Sequence, residues 1–305
     1  FKEQMNKIDI LKNLRLPVIV APMFLVSGPE LVIASCKSGL IGSFPGPNAR
    51  TIEDLEKWMN QIVHNLNGEP WAYNMIAHKT YDRFNDELEL IAQFQPPIVI
   101  TALGSPARVL ETVHSYGGIV IADVNTVEYA KKCADYGADG LALVTFGAGG
   151  HTGTLSPFVF ASHVREFFDG LIVLAGGISN GKHIKAAQCL DVDLCYMGTK
   201  FIAAKESMAV EDYKSMITNS TSTDLRLTNL FTGANAYYLK DSIINNGLDP
   251  DNLERNDKGF NISGSQEKIN AWKDIWSAGQ GVGFSNKIES TEEIASRLEK
   301  EWIDA

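Results

Sequence analysis

Short β-branched runs alternate with longer amphipathic stretches through the first two-thirds of the chain, the pattern of a parallel sheet covered by helices. Eight such runs stand out. They are PVIVAP at 17–22, GLIGSF at 39–44, PWAYNM at 70–75, PPIVIT at 96–101, GGIVIA at 117–122, GLALVT at 140–145, GLIVLA at 170–175 and DLCYMG at 193–198. Between them the spacing predicts helices over 51–66, 82–93, 106–115, 126–136, 157–168 and 181–190. The same alternation also suits a doubly wound open sheet. Eight repeats, and no GxGxxG fingerprint after the first run, favour a closed (β/α)8 TIM barrel, placed at 1–204.

Beyond residue 204 the pattern is helical, with no further strand candidates, and it predicts a smaller helical second domain over 205–287 as a substrate or lid domain. The polar, Gly- and Asn-rich segment 250–268 reads as a surface loop. STEEIASRLEKEWI opens on Ser290 with acidic residues behind it, a helix N-terminal signal. This last helix, about 288–305, is expected to dock back on the barrel.

Composition narrows the class of partner. The chain of 305 residues carries a formal net charge of −10 and no basic run, which disfavours a nucleic-acid backbone. No stretch reaches the roughly 18 to 20 apolar residues of a membrane span, so the chain reads as soluble. Cys36, Cys133, Cys189 and Cys195 lack CxxC spacing and fit a reduced, cytoplasmic compartment. The six histidines show no ligand spacing, so no metal site is expected. The opening FKEQMNKIDI lacks the features of a signal peptide.

Candidate chemistry gathers at strand ends. FGAGGHTG at 146–153 follows the sixth run; its glycines, Gly149 and Gly150 among them, permit close approach of a flat ligand, and His151 projects from the C-terminal mouth. The plain alternative is a flexible turn with an incidental His. LAGGISNGKHI at 174–184 and YMGTKF at 196–201 put glycines at the ends of runs seven and eight, each leading into a helix start. Ala175, Gly176, Gly177, Gly198 and Thr199 thus form the phosphate corner of a barrel, unless they are only tight turns. Pro22 and Met23, closing the first run, offer contacts beneath a ring, and Asn74 offers a hydrogen bond; Met packing and Asn turns are their ordinary roles. SAGQGVGF at 277–284, after Trp272 and Trp276, reads as a lid or as a helix stop and turn. SFPGPNAR at 43–50 reads as a stiff mouth loop, with Arg50 facing either an anion or solvent.

APM at 21–23, Asn74, AGGHTG at 148–153, AGGI with a following Gly at 175–181 and GTKF at 198–201 together resemble the nitronate monooxygenase family. That family was formerly called 2-nitropropane dioxygenase and is related to flavin-type enoyl-acyl carrier protein reductases. The resemblance continues through STDLRL at 222–227 and IWSAGQGVGF at 275–284 and covers nearly the whole chain. It implies non-covalent FMN, with phosphate on Gly176, Gly177, Gly198 and Thr199 and with His151 beside the flavin. It also implies oxidation of alkyl nitronates by molecular oxygen in one-electron steps through a flavin semiquinone. A pKa near neutrality would let His151 stabilise the nitronate or deprotonate a nitroalkane. Two other readings stay open: an NAD(P)H-dependent quinone or enoyl reductase, and a non-catalytic barrel binding flavin or a phospho-metabolite. Where many relatives carry Lys or Gln after the fifth strand this chain has Asp123, which would repel a phosphate unless turned away or paired with a cation. Where relatives often carry an acidic residue ahead of AGGH it has Thr145, Phe146 and Gly147, which predict a more apolar pocket.

Overall fold

The computed structural model describes residues 11–256, 265–266, 269–270 and 272–305. The opening segment and most of the polar segment 250–268 lie outside the described residues. All eight expected runs form parallel strands: β1 Val18–Val20, β2 Gly42–Pro45, β3 Trp71–Ile76, β4 Ile98–Ala102, β5 Ile119–Val124, β6 Gly140–Val144, β8 Leu171–Ala175 and β9 Leu194–Met197. Neighbouring strands pair in sequence order from β2 round to β9 and on to β1. The ring closes through Ile41, whose N–H donates to the Val18 carbonyl at 3.0 Å and whose carbonyl accepts from Val20 N–H at 2.8 Å. A closed ring leaves no strand edge to protect.

Alternation along the strands sorts side chains into two layers. Ile19, Ile98, Ile100, Ile119, Ile121, Val173 and Leu194 pack in the barrel interior. Their neighbours Val18, Val20, Leu141, Ile172 and Cys195 face helices on one flank, and Tyr73, Val99 and Val120 do so on the other. The covering helices are α1 Pro29–Lys37, α2 Ile52–Asn65, α3 Phe84–Phe94, α4 Ala107–Ser115, α5 Val127–Asp135, α6 Pro157–Arg165 and α7 Gly181–Gln188. Three of them start on a side-chain cap: Thr51 accepts from Asp54 N–H, Thr126 from Tyr129 N–H and Asn180 from His183 N–H.

The segment after residue 204 differs from its expected all-helical character. A turn α8 Thr199–Ile202 leads to α9 Glu211–Asn219 and α10 Lys240–Asn245, but β10 Leu225–Thr228 and β11 Ala236–Leu239 form an antiparallel pair. β11 also pairs with a two-residue strand β7, Gly150–His151, from the loop after β6. Neither β10 nor β11 exceeds four residues, so their alternation was too short to separate from helical spacing.

The terminal helix α11 Thr291–Ile303 begins with a capping box in which Ser290 Oγ accepts from Glu293 N–H and the Glu293 carboxylate accepts from Ser290 N–H. It lies along α7: Glu301 accepts from Gly181 N–H at 2.9 Å, and Trp302 Nε1 donates to Gln188. Arg15, below β1, donates to Glu292 and Glu299 of the same helix. Among the described residues no helix is long and apolar enough to cross a membrane.

Candidate active site

Glycines dictate how the loops at the C-terminal mouth approach one another. A Cβ at position 176 would lie 2.0 Å from Thr145 Oγ1, so this position tolerates no side chain. Thr145 is fully buried, and its hydroxyl donates to the Ala175 carbonyl at 2.6 Å. The place where relatives carry an acid is therefore a packing joint between β6 and β8. Gly177 differs: at φ +70 a Cβ there would meet nothing within 4 Å. It borders a cavity of about 200 Å³ lined also by Gly176, Ile178, His183, Phe158 and Leu174. The cavity, bordered by two glycines at the end of β8 and otherwise mostly by apolar side chains, has room for a phosphate.

One donor expected at this corner is otherwise engaged. The first amide of α7, Gly181 N–H, donates to Glu301, so the start of this helix is already capped by a carboxylate of α11. Gly198 follows β9 and Thr199 opens α8. A Cβ at Gly198 would come within 3.2 Å of Met23 Sδ, which puts Met23 against that strand end. Thr199 Oγ1 accepts from Gly279 N–H at 2.8 Å and keeps its own hydrogen to donate.

The loop after β1 holds Pro22 and Met23, both partly exposed at the mouth. Asn48, read from the sequence only as part of a mouth loop, pins it. Asn48 Nδ2 donates to the Met23 and Ser27 carbonyls, and its Oδ1 accepts from Leu25 N–H, which steadies Leu25 at φ 60. Asn74, expected at a strand end, lies within β3, two residues before its end at Ile76, and its amide donates to the Ile100 carbonyl at 3.3 Å. Arg50 is exposed, the surface alternative.

His151 stands in β7, opposite Ala236. Its Nε2 lies 3.1 Å from Thr232 Oγ1, and its ring meets Trp272 edge to face at 5.4 Å. Burial lowers its pKa to about 4. The near-neutral value expected from sequence is overturned: the site is dry enough that the imidazole is uncharged at neutral pH. Thr232 and Trp272 approach from distant parts of the chain and could not be assigned to His151 from spacing.

The segment 277–284 lies over these loops. Ser277 Oγ accepts from Gly150 N–H, Gln280 N–H donates to the Gly147 carbonyl, and Lys200 Nζ donates to the Phe284 carbonyl at 2.8 Å. A Cβ on Gly149 would come within 2.8 Å of Gly279 N, so two glycine loops meet backbone to backbone. Lys200 is buried and its pKa falls to about 8 through desolvation; it ties this segment down and was not singled out from sequence. Phe24, Leu103 and Phe146 follow β1, β4 and β6 and stay exposed at 44%, 40% and 45%, so the rim is apolar.

The chain is similar in sequence and fold to several known proteins. A dehydrogenase of Rhodococcus jostii acting on (3aS,4S,5R,7aS)-5-hydroxy-7a-methyl-1-oxo-octahydro-1H-indene-4-carboxyl-CoA is 26% identical over 198 residues. That match takes in 65% of this chain and 55% of that protein, so the chain spans about half of that relative's length. A nitronate monooxygenase of Paraburkholderia phytofirmans is 24% identical over 339 aligned positions, 93% of this chain and 92% of the relative. A nitroalkane oxidase from Streptomyces ansochromogenes has the same fold, with a TM-score of 0.79 at 20% identity over 97% of this chain and 98% of that one. The nitronate monooxygenase family model matches residues 47–298, a span that takes in the His151 loop, both glycine strand ends and the segment over the mouth. By that match the chain belongs to the nitronate monooxygenase family, a family of flavin enzymes.

Proposed function

We propose that this chain oxidises alkyl nitronates with molecular oxygen, using non-covalently held FMN. The observation that carries the reading is a neutral, desolvated His151 standing at the same barrel mouth as an open glycine corner and an apolar rim. Gly176, Gly177, Gly198 and Thr199, with Ala175 behind them, would hold the phosphate. Pro22, Met23 and Asn74 would support the ring from one side and Gly149 and Gly150 from the other. FMN is favoured over FAD because the corner suits one phosphate and no dinucleotide fingerprint follows β1. Bound FMN supplies the electron acceptor for the nitronate and the donor for oxygen.

The charge state of His151 decides between its two candidate roles. A base with a pKa of about 4 is poorly matched to taking a proton from carbon at neutral pH. The imidazole therefore acts as a neutral hydrogen-bonding group that orients a preformed nitronate, and the nitronate, rather than the neutral nitroalkane, is the substrate. The exposed Phe24, Leu103 and Phe146 receive its alkyl part and help to exclude water.

The test is an anaerobic visible spectrum of the FMN-loaded protein before and after separate additions of propyl-2-nitronate and NADH. Bleaching of the flavin band by the nitronate is expected, with recovery when air is admitted. Bleaching by NADH alone would overturn the reading in favour of a quinone or enoyl reductase.

A further inference from the structure

Asp123 is the only charged side chain in the eight barrel strands. Its strand alternates: Ile119 and Ile121 pack in the barrel interior, while Val120, Ala122 and Val124 face the helices. Asp123 therefore lies on the interior side, one pleat beyond Ile121 toward the mouth. Tyr196 of β9 lies in the same interior layer, with Ile19 and Leu194. Asp123 Oδ1 and the Tyr196 hydroxyl are both cut off from solvent, and neither has a hydrogen-bond partner. Each such group has given up water without a replacement, so two on the interior side of an apolar barrel call for a ligand that completes them.

No cation answers the carboxyl. The flanking strands β4 and β6 carry no titratable side chain. On α4, Arg108 donates to the Ala77 and His78 carbonyls, and His114 pairs with Asp139, which accepts from Val120 N–H nearer the start of β5. On α5, the Tyr129 hydroxyl donates to the Gly104 carbonyl and the Cys133 thiol is pushed up to about 11 by burial. Burial likewise raises Asp123 to about 7, and its field pushes the Tyr196 phenol further up. With no partner cation among the described residues, taking up a proton is the route by which the expected repulsion of a neighbouring anion can be relieved.

We propose that Asp123 is the proton-holding group on the floor of the flavin pocket, taking up a proton when the bound flavin is reduced and releasing it on reoxidation. This rests on the flavin reading above. Two electrons and one proton leave the reduced ring with a negative charge. A carboxylate and an anionic ring in one low-dielectric pocket repel strongly, so a second proton from solvent goes to the Asp123 oxygen. When oxygen removes the electrons, Asp123 returns that proton to solvent.

Proton uptake is read from the midpoint potential of the FMN-loaded protein, titrated with dithionite against reference dyes from pH 7.5 to 9. Each proton taken up in a two-electron couple adds 29.6 mV per pH unit, so two protons give a fall of about 59 mV per unit in the natural protein. Asp123→Asn is expected to halve the slope to about 30 mV, and Tyr196→Phe to leave it near 59 mV. A slope of about 30 mV in the natural protein would overturn the proposal without any variant. So would equal slopes in the natural protein and Asp123→Asn, or loss of the second proton in Tyr196→Phe alone. Absence of a flavin band from the protein after FMN is added and the unbound excess removed would instead overturn the cofactor reading and this proposal with it.

Discussion

His151 and Asp123 show burial acting in opposite directions on two ionisable side chains. Desolvation penalises whichever form is charged, so it lowers the imidazole to about 4 and raises the carboxyl to about 7. Near neutrality the imidazole is therefore uncharged, while the carboxyl stands close to its midpoint. His151→Ala is expected to retain FMN while kcat/KM for the nitronate falls by about 10²-fold or more, the usual scale for a positioned proton-handling or hydrogen-bonding group. Because the imidazole is neutral above about pH 5, the residual pH dependence between 5.5 and 8 should be the same in the natural protein and the variant. Steady-state rates across that range check both points, and an unchanged kcat/KM would remove His151 from the mechanism.

Among the structural elements, the strand-end turns matter more than the strands. Gly176 and Gly177 are adjacent, yet one is demanded by the Thr145 hydroxyl and the other only by its left-handed backbone and the open cavity beside it. Gly177→Val would put a branched side chain into that cavity and strain the φ +70 turn. The expected result is a protein that still melts cooperatively but binds FMN at least tenfold more weakly, measured by quenching of FMN fluorescence. Full affinity in this variant would remove the phosphate from this corner.

On the scale of the whole molecule, the chain's last helix completes the barrel's outer layer. Ile294, Ala295 and Leu298 of α11 are buried in the same apolar cluster as Val18, Val20, Ile184 and Phe201. Leu298→Ala should cost about 2–5 kcal/mol, the range for a large-to-small change in a packed core, and urea denaturation would show it as a lower midpoint. The variant is expected to keep its flavin when folded, since Leu298 packs on the helix side of the strands.

The period-two runs of β-branched residues are a local property, and they made the eight barrel strands legible before any coordinates. The glycines at 176, 177 and 198 were legible for a related reason, because they interrupt those runs at their ends. Asp123 was singled out after the fifth run, but a parallel strand is apolar on both faces, so its place inside β5 and on the interior side came from the structure. Tyr196, spaced by two from Gly198, was not singled out. The short antiparallel pair β10 and β11 was not legible, since four residues of alternation are indistinguishable from part of a helix turn. The sequence by itself thus determined the strands and the positions of the glycine turns, which follow from local backbone preference and periodic burial, whereas closure of the ring was only favoured by the number of repeats. The tertiary structure alone decided that His151 is neutral, that Glu301 caps α7, and that Thr232, Trp272 and the loop at 277–284 close around the mouth. Desolvation and hydrogen-bond partners depend on which distant segments exclude water together, and spacing along the chain carries no record of that.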